Sequence, residues 1–453
     1  MAQPDACYTF PESFLWGSAT SSYQIEGGHD ADGRGPSVWD AFCRQPGRIH
    51  NGDSGDRACD HYHRYREDID LMTHLGLQAY RFSIAWPRVM PDGRHANEAG
   101  WDFYDRLVDT LLERGIEPWV TVFHWDWPQA LEDLYGGWRS PRIIEDFAHY
   151  AGEVSRRLSD RVTRFFTINE FINFTDRAYH VGEFAPGLQL SRRERNQIRH
   201  HALLAHGDAV AAIRQQARRP DVQVGIAQDT QVCVPVMETE PHIAAARQAM
   251  RRLDAHFLTA ILEGGYMPEY LAAEGEHAPA FDPADFDRIS RPLDFVGINT
   301  YTPHYVRAIE QAPGFEFIPH PPGYPRMDVP WLYVGPQILY WVARHLHDLW
   351  QVKSVYVTEN GCACDDRMNQ QGEVLDTDRV MYLRNHLIAA HRAVTEGYPL
   401  HGYFAWSLLD NFEWADGYSK RFGLVHVNYE TQKRTPKLSA DYYRQVIAAR
   451  SVL

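Results

Sequence analysis
Two glutamates carry the strongest chemical signal in the sequence. Glu170 closes the run Thr167-Ile168-Asn169-Glu170, and Glu359 sits in Val357-Thr358-Glu359-Asn360-Gly361. Each follows an apolar run rich in β-branched and aromatic residues, Arg164-Phe165-Phe166-Thr167-Ile168 and Ser354-Val355-Tyr356-Val357-Thr358. Such runs read as buried strands. A carboxylate at the end of a buried strand is costly unless it is paired or used. One alone is most often a salt-bridge partner or a solvated rim residue. Two in matching settings, far apart in the chain, point to a pair converging on one site. Paired carboxylates are the machinery of glycoside hydrolysis, one as general acid/base and the other as base or nucleophile.

The elements that must position this pair follow a regular rhythm. Strands are expected at 14–20, 79–86, 117–125, 164–168, 223–227, 294–299, 354–358 and 402–409. Helical periodicity falls between and after them, at 61–72, 102–114, 141–158, 197–218, 243–263, 336–349, 377–395 and 441–449. A Pro- and Gly-dense loop runs over 305–332, a length that marks a functional or disordered segment. Eight strands alternating with helices predict an α/β fold, a single (β/α)8 TIM barrel with extended βα loops. Active sites of such barrels lie at the C-terminal ends of the strands. Glu170 and Glu359 fall there, after the fourth and seventh strands, as do Gln24, His124, Asn169, Trp406 and Glu413. The rival, a doubly wound open sheet, lacks its Gly-x-Gly-x-x-Gly marker, and no P-loop is present.

Composition narrows the function classes. The 453 residues suggest about three domains by length alone, yet one barrel with insertions also reaches this size, and a single domain over 1–453 is expected. The net charge of −15 disfavours a nucleic-acid partner, which needs a basic face. Residues 1–10 have no basic start followed by an apolar core, so no secretory signal is expected. No run of 18 apolar residues exists, so no membrane partner is expected. Six cysteines are sparse for this length, and a reduced, cytoplasmic setting follows. Cys362-Ala363-Cys364 is too closely spaced for a Cys-x-x-Cys site and reads as two free thiols in a loop close to Glu359. His61 and His63 lie on different sides of their helix, so no metal site is expected there, and no cofactor is called for. Thirteen tryptophans and 24 tyrosines can fill a core, but sugars also stack on flat rings.

The motifs resemble those of glycoside hydrolase family 1, the β-glucosidase family of retaining barrel enzymes. They are Phe14-Leu15-Trp16-Gly17, Tyr23-Gln24-Ile25-Glu26-Gly27, Tyr80-Arg81-Phe82-Ser83, and His124-Trp125-Asp126 with Pro128. The two glutamate motifs follow, then Trp406-Ser407-Leu408-Leu409-Asp410-Asn411-Phe412-Glu413-Trp414. The resemblance extends from Phe10 to about Tyr443, and its specificity lies in the order of all the motifs together. It implies that Glu170 is the acid/base and Glu359 the nucleophile, with Arg81 and Tyr301 supporting Glu359. It implies that Gln24, His124, Asn169, Glu413 and Trp414 hold the glycone over Trp406, with Trp125, Tyr301 and Trp331 also binding substrate. The substrate is then a small β-glycoside or cello-oligosaccharide, a homo-oligomer and transglycosylation both being left open.

Four positions depart from the family's usual pattern. Thr300 precedes Tyr301 where an aromatic is common, and Asp229 follows the fifth strand where asparagine is more usual. Leu332 stands where glutamate is common, and Asn428 where aspartate is frequent. These bear on leaving-group preference rather than on the chemistry. Two other functions compete. A 6-phospho-β-glycosidase needs basic side chains for the phosphate, where this chain has Glu413. A non-catalytic sugar-binding barrel would lack one of the glutamates, and both are present.

Overall fold
Apolar strands followed by one-faced helices can bury both faces of a parallel sheet as an open doubly wound sheet or as a closed barrel. In the computed structural model, which describes residues 8–452, eight parallel strands form a closed barrel among the described residues. They are β1 (Leu15–Ala19), β2 (Ala79–Ser83), β3 (Glu117–Phe123), β4 (Arg164–Asn169), β5 (Gln223–Asp229), β6 (Phe295–Asn299), β7 (Val355–Asn360) and β8 (Leu400–Trp406). Each pairs with its neighbours in chain order, and β8 pairs with β1. Part of the N-terminal stretch read above as lacking a signal, residues 1–7, lies outside the described residues.

The barrel interior is filled by aromatic rings. Trp119 of β3 sits among Phe166, Phe295, Tyr356 and Phe404, with ring centroids 5.8, 5.5, 4.8 and 5.2 Å away. Such a plug demands small residues elsewhere on the wall. A Cβ on Gly225 of β5 would lie 2.3 Å from the Phe295 ring.

Eight main helices cover the outside: α1 (His61–His74), α2 (Glu98–Glu113), α3 (Arg142–Leu158), α4 (Arg192–Gln216), α5 (Glu240–Leu253), α6 (Ile338–Trp350), α7 (Thr377–Thr395) and α8 (Leu438–Ala449). The expected helix at 197–218 starts earlier because Ser191 and Glu194 form a reciprocal capping box. The expected helix at 243–263 is two: α5 ends at Leu253, and Leu258–Glu263 resumes after Phe257 leaves helical angles to stack on Phe171. The last strand stops at Trp406 rather than 409, because Leu408 turns to bond Ala19 and Asp410 bonds Val425. The loop at 305–332 is not structureless. Its first part forms a hairpin, His304–Ala308 with Phe315–Ile318, that joins Cys233–Pro235 in a three-stranded sheet.

No helix among the described residues is long and apolar enough to cross a membrane. His61 is bonded to Asp68 and His63 to Asp60, so each histidine has its own carboxylate.

Candidate active site
At the C-terminal mouth of the barrel a cleft of about 470 Å³ opens. Glu170 and Glu359 both face it from opposite walls, following β4 and ending β7. The turn after β7 is tight enough to need glycine: a Cβ on Gly361 would lie 1.8 Å from the Trp406 carbonyl oxygen. Glu170, Trp125 and Trp414 adopt positive φ angles of 44°, 75° and 48°. Such angles cost on the order of 1–3 kcal/mol for a residue with a side chain, and they gather at functional sites.

The two carboxylates have different partners. Arg81 of β2 donates from Nη1 to Glu359 Oε1 at 2.6 Å, and the Tyr301 hydroxyl donates to Oε2 at 2.9 Å. Among the described residues no cation is bonded to Glu170. Its Oε1 accepts from Asn299 Nδ2 at 2.7 Å, and its Oε2 accepts from Asn173 Nδ2. Burial pushes the Glu170 carboxyl well above the usual range, reinforced by the negative charges of Glu359 and Asp229. Burial also raises Glu359, but the Arg81 charge and hydrogen bond and the Tyr301 hydroxyl pull it back. On titration Glu359 therefore gives up its proton first. Two carboxyls that differ in how firmly each holds its proton therefore face the same space.

The rest of the wall offers a ring platform and unsatisfied polar atoms. Trp406 is 5% exposed and stacks with His124, centroids 5.9 Å apart, while Trp125 and Trp414 meet at 4.6 Å. Burial, then the charge of Arg81, holds His124 well below its ordinary range, so its ring is neutral near pH 7. Asn169 Nδ2 donates to His124 Nε2 at 3.2 Å, which leaves the ring proton on Nδ1, an atom without a partner. Glu413 Oε2 is covered and equally unpartnered. Burial, followed by the charges of Asp416 and Glu359, pushes Glu413 up to about 8. Buried polar atoms left unmatched in a cleft are matched by a ligand or by water. Trp331 stands at the outer mouth, 46% exposed and edge-on to Tyr301.

The family model described as glycosyl hydrolase family 1 matches residues 7–452. The chain belongs to that family. It is similar to the β-glucosidase A of Thermotoga maritima, 42% identical over 442 residues that cover 97% of each chain. It is likewise similar to the 1,4-β-D-glucan glucohydrolase of Thermotoga neapolitana, 42% identical over 97% of this chain and 98% of that one. The solved family 1 β-glucosidase from Thermotoga maritima superposes with a TM-score of 0.90 at 40% identity, covering 99% of this chain and 100% of that one. That protein has also been solved in complex with isofagomine lactam and with glucoimidazole.

Of the site residues expected in this family 1 chain, His124, Trp125, Glu170, Tyr301, Trp331, Glu359, Trp406, Glu413 and Trp414 line the cleft. Arg81, Asn169 and Gln24 are fully covered and lie behind its wall. Arg81 ties Glu359 to Asn169, while Gln24 donates to Asn411 Oδ1 at 3.1 Å and to the Phe412 carbonyl at 2.8 Å. Gln24 thus supports the segment that carries Glu413. Asn299 was not singled out from the sequence, yet its amide bridges Glu170, Asn169 and Thr358. Its signal was available, since it ends strand β6 as Asn169 ends β4. Asn173 lies on the π-helix Asn173–Val181, which nothing in the sequence announced.

Among the positions that depart from the family pattern, Thr300 and Asp229 line the cleft. Leu332 is fully buried in a cluster with Trp406, Cys362 and Cys364. The two thiols are free, 3.7 Å apart and covered rather than open at the rim. Asn428 accepts from the backbone of Glu430 and Thr431 in a distant turn.

Proposed function
We propose that the protein is a retaining β-glucosidase that removes terminal non-reducing β-D-glucosyl residues from small β-glucosides and cello-oligosaccharides. The observation that carries this reading is the asymmetry of the two carboxylates: a cation and a phenol on Glu359, two amides and no bonded cation on Glu170. A charged Glu359 attacks the anomeric carbon as the glycosidic bond breaks. The proton of Glu170 goes to the departing oxygen, and a glucosyl ester forms on Glu359. Esterification removes the Glu359 charge, which with burial helps to hold the Glu170 proton. Glu170 then takes a proton from water, whose oxygen displaces Glu359 and restores both groups. The similar proteins, two β-glucosidases and a 1,4-β-D-glucan glucohydrolase, support the same substrate class. The barrel runs through the whole described chain and supports one catalytic domain over 1–453. Free cysteines at 43, 59, 233, 362 and 364 support a reducing, cytoplasmic setting.

Proton NMR of the first product tests the stereochemistry. Hydrolysis of an aryl β-glucoside is expected to release β-glucose, which mutarotates later. An α-configured first product overturns the double displacement.

Glu413 and the unpartnered His124 nitrogen receive the glycone's hydroxyls in this reading, with Trp406 as the floor beneath the ring and Trp414 beside it. Glu413→Ser is expected to lower kcat/KM on glucosides by about 10–100-fold, the loss of a hydrogen bond to a charged or polarised group. The urea midpoint should change little. Equal efficiency of the unaltered enzyme on a glucoside and its 6-phosphate would remove Glu413 from this role.

A further inference from the structure
Asp229 ends β5 and faces the cleft with Glu170 and Glu359. The segment is bound to Glu170 in two ways. The Glu170 backbone N–H donates to the Ala227 carbonyl at 2.8 Å. Asp229 is also in register with Asn299, whose amide bonds Glu170. Among the described residues no hydrogen bond or ion pair reaches the Asp229 carboxylate. The cation whose charge acts on it, Arg177, is engaged elsewhere: it donates to Glu183 at 3.1 and 3.2 Å and lies 4.0 Å over the Phe184 ring. The carboxylate is partly covered and lines the cleft, so its charge is spent on no protein partner among the described residues.

We propose that Asp229 is a positioning residue for the acid step, its unpaired charge keeping the proton on Glu170 through neutral pH. The proposal rests on the assignment of Glu170 as the acid. The groups that face Glu170 are Glu359, Asp229, Arg81, Tyr301 and the amides of Asn299 and Asn173. Those that face Asp229 are Glu359, Arg177 and the buried Asp254. Of the like charges acting on Glu170, Glu359 is consumed by ester formation, whereas Asp229 persists through the cycle. Burial, then the charge on Glu359, pushes the Asp229 carboxyl itself to about 6. It is therefore charged at neutral pH, where the charge bears on Glu170. The sign follows: removing this charge makes ionisation of Glu170 easier, so the proton is lost at lower pH. Asparagine has nearly the same shape and carries no charge.

The test is the pH dependence of kcat/KM on cellobiose for the unaltered enzyme, Asp229→Asn and Asp229→Ala. Both variants are expected to shift the basic limb down by about 0.5–1 pH unit and to leave the acidic limb in place. A basic limb that stays put in both variants, even with a uniformly lower kcat/KM, overturns the proposal, because a purely structural or contact role gives that result. Glu170→Gln assayed on an activated aryl glucoside separates this failure from a wrong acid. If that variant keeps the basic limb, the assignment of Glu170 falls first. If it loses the limb while Asp229→Asn does not move it, Asp229 alone is overturned.

Discussion

Glu359→Ala is expected to lower kcat on cellobiose by on the order of 10⁵-fold or more, since it removes the group that forms the covalent bond. Among the described residues no other cleft carboxylate has a bonded cation and a phenol as Glu359 does: Glu170 is held by two amides, Asp229 has no bonded partner, and Glu413 is pushed up to about 8. Arg81 has no exposure and would lose its carboxylate in this variant, keeping bonds to Thr121, Asn169 and the Thr358 carbonyl. An uncompensated buried charge costs about 3–5 kcal/mol; Glu359→Gln also removes the negative charge but keeps the volume and an oxygen that can accept from Arg81, so it is the control for the lost packing and hydrogen bond. Its activity should be lost with far less change in thermal midpoint. A 2-deoxy-2-fluoro glucoside with a good leaving group should slow the second step of the unaltered enzyme and leave a sugar on it. Peptide mapping should place that sugar on the peptide carrying Val357-Thr358-Glu359-Asn360-Gly361. A label on any other residue sinks the mechanism.

The barrel and its two glutamates were legible because both signals are local. Each strand is a short run of β-branched and aromatic residues, and a carboxylate at its end breaks the apolar pattern at one position. The capping box at Ser191 was equally local, and attention to Ser-x-x-Glu would have placed the start of α4 at Arg192. What escaped depends on partners distant in sequence. The hairpin within 305–332 forms because Cys233–Pro235 offers an edge, and no pattern inside the loop specifies that edge. Phe257 breaks its helix because Phe171, far earlier in the chain, presents a ring to stack on. Gln24 carries a family motif, but the motif does not say that its amide is spent on Asn411 and Phe412 behind the wall. Cys362 and Cys364 read as loop thiols because no local cue reveals that Leu332 and Trp406 cover them. The departure at Asp229 was visible as a residue type, yet its meaning comes from what does not bond to it.

Glu170 variants should separate the two steps of the reaction. The acid matters in proportion to how poor the leaving group is, because a good leaving group departs without a proton. General acid catalysis contributes about 10²–10⁴-fold. Glu170→Ala is therefore expected to lower kcat/KM on cellobiose by about that factor and on a dinitrophenyl glucoside far less. The second step suffers in either case, since water loses its base, so the ester on Glu359 should accumulate with the activated substrate and show as a burst. Azide needs no base and is small enough for the space vacated by the side chain. It should restore turnover of the activated substrate in Glu170→Ala and yield β-glucosyl azide, the configuration that attack on an α-linked ester requires. The amides of Asn299 and Asn173, which now hold Glu170, would remain to line that space. In the unaltered enzyme the acidic limb of the pH profile belongs to Glu359, which must be charged, and the basic limb to Glu170, which must be protonated. The sign is set by burial and by the charges of Glu359 and Asp229 at Glu170, against the pull of Arg81 at Glu359. Glu170→Gln should erase the basic limb for the activated substrate and keep the acidic one. A variant at Glu170 that lowers cellobiose and dinitrophenyl glucoside alike, with no burst and no rescue by azide, would mean that the proton comes from another group.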